Sequence, residues 1–338
     1  MSLVAAPGEA VDEAGTPRLG VYRGTLRSVG LERAVSWFQR TWRRKWWQYT
    51  AVVSEEVIAG AAVVDLGYVG LAFALAWDRR EKIWYEKEVL VPLARGVKIE
   101  GEPGHSSFIY RGGAGHIELR NSPDERTIDV RMQTPAGLLA MDLEMAGAGE
   151  GTEPLTVIGA LAPGRFNITH KEAGVALGGR ITLGDRAVEL DPETSYALFD
   201  WTQGVPPACV KWNWAMGAGR ATDGRTVGFN LCVGYTDPLN SENAVWVDGR
   251  VRRVGAAQFE IPAGDAADRS PWRVRTADGA VDLSFQPEAV RSADTNLLVA
   301  VSRYRQPVGR FTGSVLGPAG EKLEVTAHGV AEDHEARW

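Results

Sequence analysis

Asp200 is the residue whose type and neighbours best suit proton-transfer chemistry. It lies between Phe199 and Trp201 in the segment FDWTQG. Burial among aromatic side chains favours the neutral form of a carboxyl group, which is the form that can protonate an alkene. The same segment also fits the start of an Asx turn, in which the carboxylate only accepts backbone hydrogen bonds. Asp200 is therefore a candidate general acid, with a turn-forming aspartate as the alternative.

Tryptophans close to this aspartate predict an apolar surface for a ligand. The chain has 12 tryptophans, and Trp201, Trp212 and Trp214 fall within one stretch of strand-like alternation. Asp223-Gly224 then gives a strong hairpin signal, with GFNLCVG as the returning strand. An acid beside indole rings is expected in a pocket for a lipophilic molecule. Composition alone favours the other interpretation, a packed sandwich or barrel core with an aspartate at its rim.

Four polar residues are candidates for binding the polar part of such a ligand: Gln203, Asn230, Asn243 and Arg305. Gln203 could donate a hydrogen bond to the Asp200 carboxylate. Glu242 and Asn243 follow a loop of the kind that often carries function at the mouth of a barrel, although structural capping is the favoured interpretation of both. Arg305 could equally form an ion pair with the acidic segment EDHE near the end of the chain.

The histidines give no indication of a metal site. They are His105, His116, His170, His328 and His334. No two of them are two or four residues apart, so the local spacing of a metal-binding pair is absent. His334 lies among carboxylates, but a solvated, salt-bridged segment is the favoured interpretation. The sequence also lacks a phosphate-binding loop, a dinucleotide fingerprint and a nucleophile elbow. We expect no metal and no cofactor.

Composition indicates a globular protein without a nucleic-acid partner. The formal net charge is −6, whereas binding to phosphates requires a clustered basic face. Cys209 and Cys232 cannot build a disulfide framework, so we expect buried free thiols in a reducing compartment. The first residues, MSLVAAPGEAVDEAGTP, lack the features of a signal peptide, and no run approaches the roughly 20 apolar residues of a membrane span. A cytoplasmic protein is expected.

Short strands dominate the predicted secondary structure. One helix is expected in the first half of LERAVSWFQRTWRRKWWQYT, where apolar residues follow helical spacing. The RRKWW run could contact a membrane surface transiently, although a solvated turn leading into a strand is more common. The other apolar segments are short and separated by Gly, Pro and Asp turns, which is typical of an antiparallel sandwich or barrel. The fold class is therefore all-β with a short N-terminal helix.

Several motifs resemble those of a bacterial family, the domain of unknown function family DUF2804. They are RKWWQYT, the DWTQG element, KWNWA, DGRTVGFNL, SENAVWVDG, YRQPVGRFTG and GVAEDHEARW. The resemblance extends over nearly the whole chain after the first twenty residues. The stretch from FNITHKEAG to FDWTQG also looks like a motif of the carotenoid 1,2-hydratase and AttH-like group. The wider superfamily is similar to tocopherol cyclases.

The resemblance implies two lipocalin-like antiparallel β-barrels that pack together and hold a lipophilic ligand between or within them. Residues 146–154, AGAGEGTEP, form a glycine-rich loop or linker. We expect a flexible arm over residues 1–20, a first barrel over 21–192 and a second barrel over 193–338.

The resemblance also suggests roles for three residues. Asp200 falls where the hydratase group has its motif aspartate, and Trp201 stands where that group often has a histidine. His170, in the strand that precedes the Asp200 strand of the motif, is the second candidate for handling a proton. The expected function is binding of an isoprenoid, polyene or fatty-acid-like molecule in a Trp-lined cavity, with hydration, isomerisation or cyclisation by Asp200 as proton donor. A lipid-binding or carrier protein without catalysis is the alternative.

Overall fold

Two largely antiparallel β-sheets make up most of the protein. The computed structural model describes residues 3–235, 238–297 and 300–337. The first sheet has fifteen strands and forms a nearly closed barrel, and the second has nine strands and forms a half-barrel. The predicted all-β fold class is confirmed.

The first sheet is built from these strands: β1 (Val4–Ala5), β2 (Gly20–Arg23), β3 (Lys45–Val53), β4 (Val57–Asp65), β5 (Val69–Asp78), β6 (Ile83–Pro92), β7 (Val97–Glu102), β8 (His105–Gly112), β9 (Gly115–Asn121), β10 (Arg126–Thr134), β11 (Gly137–Met145), β12 (Leu155–Ala162), β13 (Arg165–Leu183), β14 (Arg186–Leu190) and β15 (Tyr196–Gly204). Its main path is β6-β5-β4-β3-β15-β13-β11-β10-β9-β8-β7.

The second sheet is built from these strands: β16 (Cys209–Ala221), β17 (Thr226–Val233), β18 (Ala244–Val247), β19 (Arg250–Arg253), β20 (Ala257–Glu260), β21 (Trp272–Thr276), β22 (Val281–Leu297), β23 (Ala300–Leu316) and β24 (Lys322–Arg337). Its order is β19-β18-β17-β16-β24-β23-β22-β21-β20. Short 3₁₀ helices lie at Pro238–Asn240 and Gly264–Asp268.

The predicted helix is present as two short helices, α1 (Leu31–Ala34) and α2 (Trp37–Trp42). Ser36 begins α2 with a capping box, because its hydroxyl accepts from the Gln39 backbone N–H and the Gln39 side chain accepts from the Ser36 N–H. The chain then enters β3. Neither helix in the described part of the chain has the length and apolarity that crossing a membrane requires.

Three apolar cores hold the sheets together. One fills the first barrel and includes Trp201, and another lines the far face of the second sheet around Phe311. The third lies between the sheets, where Tyr49 and Leu198 of the first sheet meet Trp214 of the second. Because side chains alternate along a strand, β13, β15 and β16 each contribute to two environments.

The structure differs from the predicted domains at two places, the N-terminal arm and the boundary between the two barrels. Residues 3–20, predicted as a flexible arm, include β1 and the fully buried Ala10 and Val11, which are apolar enough to join the first core. The predicted boundary between residues 192 and 193 precedes β15, whereas the chain passes to the second sheet only after β15, since that strand pairs with β3 and β13. Cys232 is buried as expected, but Cys209 is exposed at the start of β16.

Candidate active site between the two sheets

The pairing of β13 with β15 decides which predicted residues share a face. Lys171 pairs with Asp200, and His170 pairs with Trp201. Paired residues of antiparallel strands point to the same side of a sheet, and neighbours along a strand point to opposite sides. Lys171 and Asp200 therefore face the second sheet, while His170 and Trp201 face the inside of the first barrel.

A buried ion pair holds Asp200. The Nζ of Lys171 lies 2.6 Å from Oδ1 of Asp200, and both residues are buried. The Thr202 hydroxyl donates to the same Oδ1 at 3.2 Å, and the Thr169 and Thr202 hydroxyl oxygens are 2.8 Å apart. Asp200 is thus not an isolated acid in an apolar pocket, because an ammonium group and a hydroxyl stabilise its negative charge.

Glu242 is a second carboxyl group beside the same ammonium. Its Oε1 lies 3.6 Å from Nζ of Lys171, and its side chain is only 4% exposed. Burial raises the pKa of Glu242 above its usual range, Lys171 opposes that shift, and the charge of Asp200 adds to it. Burial opposes the charged form of Lys171, but Asp200 and Glu242 outweigh it and raise the pKa of Lys171. One ammonium thus lies close to two buried carboxyl groups, and the pKa of Glu242 is raised in this setting.

Hydrogen bonds from β16 and β17 fix the segment that carries Glu242. The Trp214 indole N–H donates to Oδ1 of Asn230 at 2.8 Å, and Nδ2 of Asn230 donates to the Glu242 carbonyl oxygen at 2.9 Å. The Cys232 backbone N–H donates to Oδ1 of Asn243 at 2.7 Å. Asn230 and Asn243 therefore position the segment that carries Glu242. The Lys171 ammonium lies 5.5 Å from the ring centroid of Trp214.

An aromatic cluster of Trp47, Trp212 and Tyr235 lies on the side of the first sheet that Asp200 faces. The ring of Tyr235 is 6.1 Å from Trp47 and 5.5 Å from Trp212. Its hydroxyl is buried and has no hydrogen-bond partner in the part of the chain that the structure describes. Burial and the charges of Glu242 and Asp200 raise the pKa of Tyr235 well above its usual range. The hydroxyl therefore remains in its neutral form.

A histidine lies on the other side of Trp212. The ring centroids of Trp212 and His334 are 4.1 Å apart. The Nδ1 of His334 lies 2.6 Å from Oε1 of Glu332, and its Nε2 lies 3.0 Å from the Ser302 hydroxyl oxygen. With its proton on Nδ1, His334 donates to Glu332 and accepts from Ser302 at Nε2. This is the arrangement of a carboxylate-oriented base next to a hydroxyl group.

Three predicted site residues lie on the wrong face for the predicted cavity. His170 contacts Glu172, with Nε2 3.2 Å from Oε1, and Arg126 donates to the same carboxylate at 2.8 and 3.2 Å. Trp201 is fully buried in the barrel core, and Gln203 lies on its face because strand alternation puts the two on one side. The structure therefore places His170, Trp201 and Gln203 on the face of the first sheet opposite to the face of Asp200.

Arg305 is also separated from the other candidates. It pairs with Asp333 across β23 and β24, and Asp333 accepts a hydrogen bond from Asn213. Asn213 stands between Trp212 and Trp214, so alternation puts this row of residues on the far face of the second sheet. The Nε of Arg305 lies 2.6 Å from Oδ1 of Asp268. The guanidinium thus forms an ion pair with Asp268, and among the described residues it forms none with the EDHE segment, although Asp333 of that segment lies opposite it in the strand pairing.

Two cavities of the protein lie away from Asp200. One of about 690 Å³ is an open, charged groove on the first sheet, lined by residues such as Asp129, Asp142 and Arg180. The other, of about 260 Å³, lies beside Trp42 at the end of α2. The predicted cavity lined by Trp201, Trp212 and Trp214 is not among them, since Trp201 is turned away from the other two.

Two residues of the site, Lys171 and Glu242, are not among the candidate site residues predicted from the sequence, where Glu242 is interpreted as a capping residue. Strand alternation already implied that only one of His170 and Lys171 could share a face with Asp200. The choice between them required the register of β13 against β15. Glu242 reaches the site from a loop, and nothing in its local sequence separates it from a capping residue.

Comparison with known proteins agrees with the fold. The family model described as "Domain of unknown function (DUF2804)" matches residues 2–338. The chain is similar to CghA, known from a crystal structure with Sch210972, at 12% identity over 99% of this chain and 98% of that chain, with a TM-score of 0.54. It is also similar to a putative AttH from Nitrosomonas europaea, at 10% identity over 90% and 96% of the two chains, with a TM-score of 0.51. No curated protein matches the chain significantly.

Proposed function

The chain belongs to the DUF2804 family, and we propose that it binds a lipophilic small molecule between its two sheets. In this proposal the protein transforms the molecule by proton transfer without a cofactor. Hydration, isomerisation and cyclisation of an isoprenoid, polyene or fatty-acid-like molecule are the reactions that fit this chemistry. The fold shared with CghA, which is known from a crystal structure with Sch210972, supports a ligand-binding role.

The observation that carries the proposal is the position of the buried Glu242 carboxyl, which lies 3.6 Å from the Lys171 ammonium that Asp200 already pairs with at 2.6 Å. Burial raises the pKa of Glu242 in this position. A buried carboxyl group that retains its proton can donate it to a double bond. We therefore assign the proton donor to Glu242, where the sequence suggested Asp200. Asp200 has the supporting role of stabilising the Lys171 charge, which in turn stabilises the carboxylate left on Glu242 after the transfer.

His334 supplies the complementary base. Trp212 contacts Tyr235 on one side and His334 on the other, so the acid cluster and the histidine flank one aromatic surface. A substrate on this surface would receive a proton from the Glu242 side and lose one to Nε2 of His334. In a hydration, the proton lost comes from the attacking water, whose oxygen would take the place of the Ser302 hydroxyl.

A carrier without catalysis is the second candidate function. It is favoured by the close pairing of Lys171 with Asp200, which neutralises charge as a structural ion pair does. A carrier needs the aromatic surface of Trp47, Trp212 and Tyr235 but no proton donor. The two functions therefore differ in whether the Glu242 carboxyl group is required.

The test begins with the ligand. Protein incubated with lipophilic metabolite extracts would be recovered and its bound molecules identified by mass spectrometry, and each would then be assayed for turnover. With a proton donor at Glu242, the variant Glu242→Gln should keep binding but lose turnover by about 100- to 10,000-fold. The exposed Glu189→Gln is the matched control and should behave as wild type. Equal turnover in Glu242→Gln would eliminate the acid, and binding without turnover in the wild type would support the carrier.

A further inference from the structure

Helix α2 exposes three aromatic side chains at one end of the first barrel. Trp37 is 68% exposed, Phe38 54% and Trp42 41%, and we call these three residues the aromatic patch. Trp37 and Phe38 begin the helix and Trp42 ends it. Large aromatic side chains are normally buried, so three of them exposed on one six-residue helix mark a contact surface.

The charge around the aromatic patch is positive although the chain as a whole is acidic. Residues 33–54 contain five basic residues and no acidic one, against a net charge of −6 for the chain. Two of the five are used inside the protein, since Arg33 pairs with Glu9 and Arg44 with Asp65. Within the residues that the structure describes, Arg40 and Arg43 have no ion-pair partner.

A cationic cavity opens beside the patch. It has a volume of about 260 Å³ and is lined by Trp42, Arg43, Lys45, Arg165, Pro206 and Ala208. Three of its six lining residues are cations and none is an acid, so it favours an anionic group. Aromatic side chains prefer the boundary between lipid headgroups and acyl chains, and arginine and lysine attract anionic lipid headgroups.

We propose that this end of the protein docks onto an anionic phospholipid bilayer. The aromatic patch enters the headgroup boundary, and the cationic cavity takes one phosphate headgroup. The strand pairing also gives the distance between the cationic cavity and Asp200. Lys45 of the cavity pairs with Gly204, and Tyr49 pairs with Asp200 four residues farther along the same two strands. At the rise of a β-strand, these four residues span about 13 Å. The docking surface does not depend on the chemistry proposed for Glu242.

Vesicle flotation tests the proposal directly. Purified full-length protein would be mixed with vesicles of phosphatidylcholine alone or with roughly 30% phosphatidylglycerol, and the bound fraction measured. Binding should require phosphatidylglycerol and weaken with salt. The triple variant Trp37→Ser/Phe38→Ser/Trp42→Ser should bind at least about tenfold more weakly, because the apolar contact is lost. Arg43→Gln/Arg165→Gln should lose about fivefold per charge on anionic vesicles only.

A matched control comes from exposed apolar residues elsewhere. Leu90 and Leu93 are 49% and 59% exposed on and after β6, and Leu90→Ser/Leu93→Ser should bind as wild type. All variants change exposed or cavity residues, so unchanged circular dichroism and melting would show that they fold. Wild type that stays unbound with anionic vesicles at low salt would overturn the proposal. The proposal would also be overturned if the triple variant bound vesicles as well as wild type does. A wild-type dimer in light scattering that the triple substitution abolishes would overturn it too. Displacement of the protein from vesicles by millimolar inorganic phosphate alone would identify the cavity as a phosphate site and overturn the bilayer assignment.

Discussion

His170 and Lys171 are neighbours in one strand, yet they belong to different ion clusters on opposite faces of the first sheet. Inside the barrel, His170 and Arg126 both contact Glu172. Between the sheets, Lys171 lies between Asp200 and Glu242. Both clusters are buried and both contain a glutamate.

The two glutamates differ in the charge that surrounds them. Burial alone would raise the pKa of Glu172, but the Arg126 guanidinium and the His170 hydrogen bond outweigh it, so the pKa of Glu172 is lowered. Burial raises the pKa of Glu242, and Lys171, which is shared with Asp200, does not compensate. Glu172 is thus a carboxylate with two close partners, Arg126 and His170, whereas Glu242 shares the Lys171 ammonium with Asp200 and has a raised pKa. We therefore interpret the Glu172 cluster as structural and the Glu242 cluster as functional.

The largest expected effect comes from breaking the barrel cluster. Arg126→Met leaves Glu172 buried without its bidentate partner and should lower the free energy of unfolding by about 5 kcal/mol, the upper end for a broken buried pair. Denaturant unfolding measures it. Arg180→Met, in an exposed pair with Glu189, is the control and should cost only about 0–1 kcal/mol. Similar losses in both variants would mean that burial gives the cluster no special role.

Breaking the inter-sheet cluster should cost less. Lys171→Met removes the partner of Asp200, but Asp200 keeps the Thr202 hydrogen bond and its side chain is 11% exposed. We expect a loss of about 3 kcal/mol, the lower end of the range. The double variant Lys171→Met/Asp200→Leu should recover most of it, because no unpaired charge remains. A double variant as unstable as the single one would contradict this pairing.

The two glutamates should show opposite pH dependences. The folded protein holds the Glu242 proton more tightly than the unfolded chain does, so wild-type stability should fall relative to Glu242→Gln as pH rises above the usual carboxyl range. Glu172 has a lowered pKa, so its contribution is present above the usual carboxyl range and is lost as pH falls through its folded pKa. Melting curves of Glu242→Gln and Glu172→Gln across pH measure both trends. Parallel curves would remove the distinction between the clusters.

The smallest effect concerns Tyr235. Its hydroxyl is buried without a partner among the described residues, so removing it should leave stability unchanged or raise it by about 0–1 kcal/mol. If the hydroxyl serves the ligand, Tyr235→Phe should instead weaken ligand binding. Trp214→Phe provides the contrast, because that indole N–H has a buried partner in Asn230 and its loss should be destabilising. A stability loss in Tyr235→Phe equal to that of Trp214→Phe would show that the hydroxyl is structural.

The all-β class and the family could be predicted from the sequence, because alternation, turn signals and motifs are local. Alternation alone also implied that Asp200 and Trp201 face opposite ways, and that Trp212 and Trp214 share a face. The partner of Asp200 depends on the β13–β15 register, which includes an irregularity between Ala173 and Val175. Glu242 comes from a loop more than forty residues farther along, so its place in the site follows only from the packing of the two sheets.

The titration of Glu242 tests the central claim most directly. Infrared difference spectroscopy of the full-length protein can detect the carbonyl stretch of a protonated carboxyl group, and comparison with variants assigns it. We predict a protonated-carboxyl band in the wild type that persists to pH values above the usual carboxyl range, is lost in Glu242→Gln and is retained in Glu172→Gln. A wild-type spectrum without such a band, or a band that disappears in Glu172→Gln instead, would contradict it.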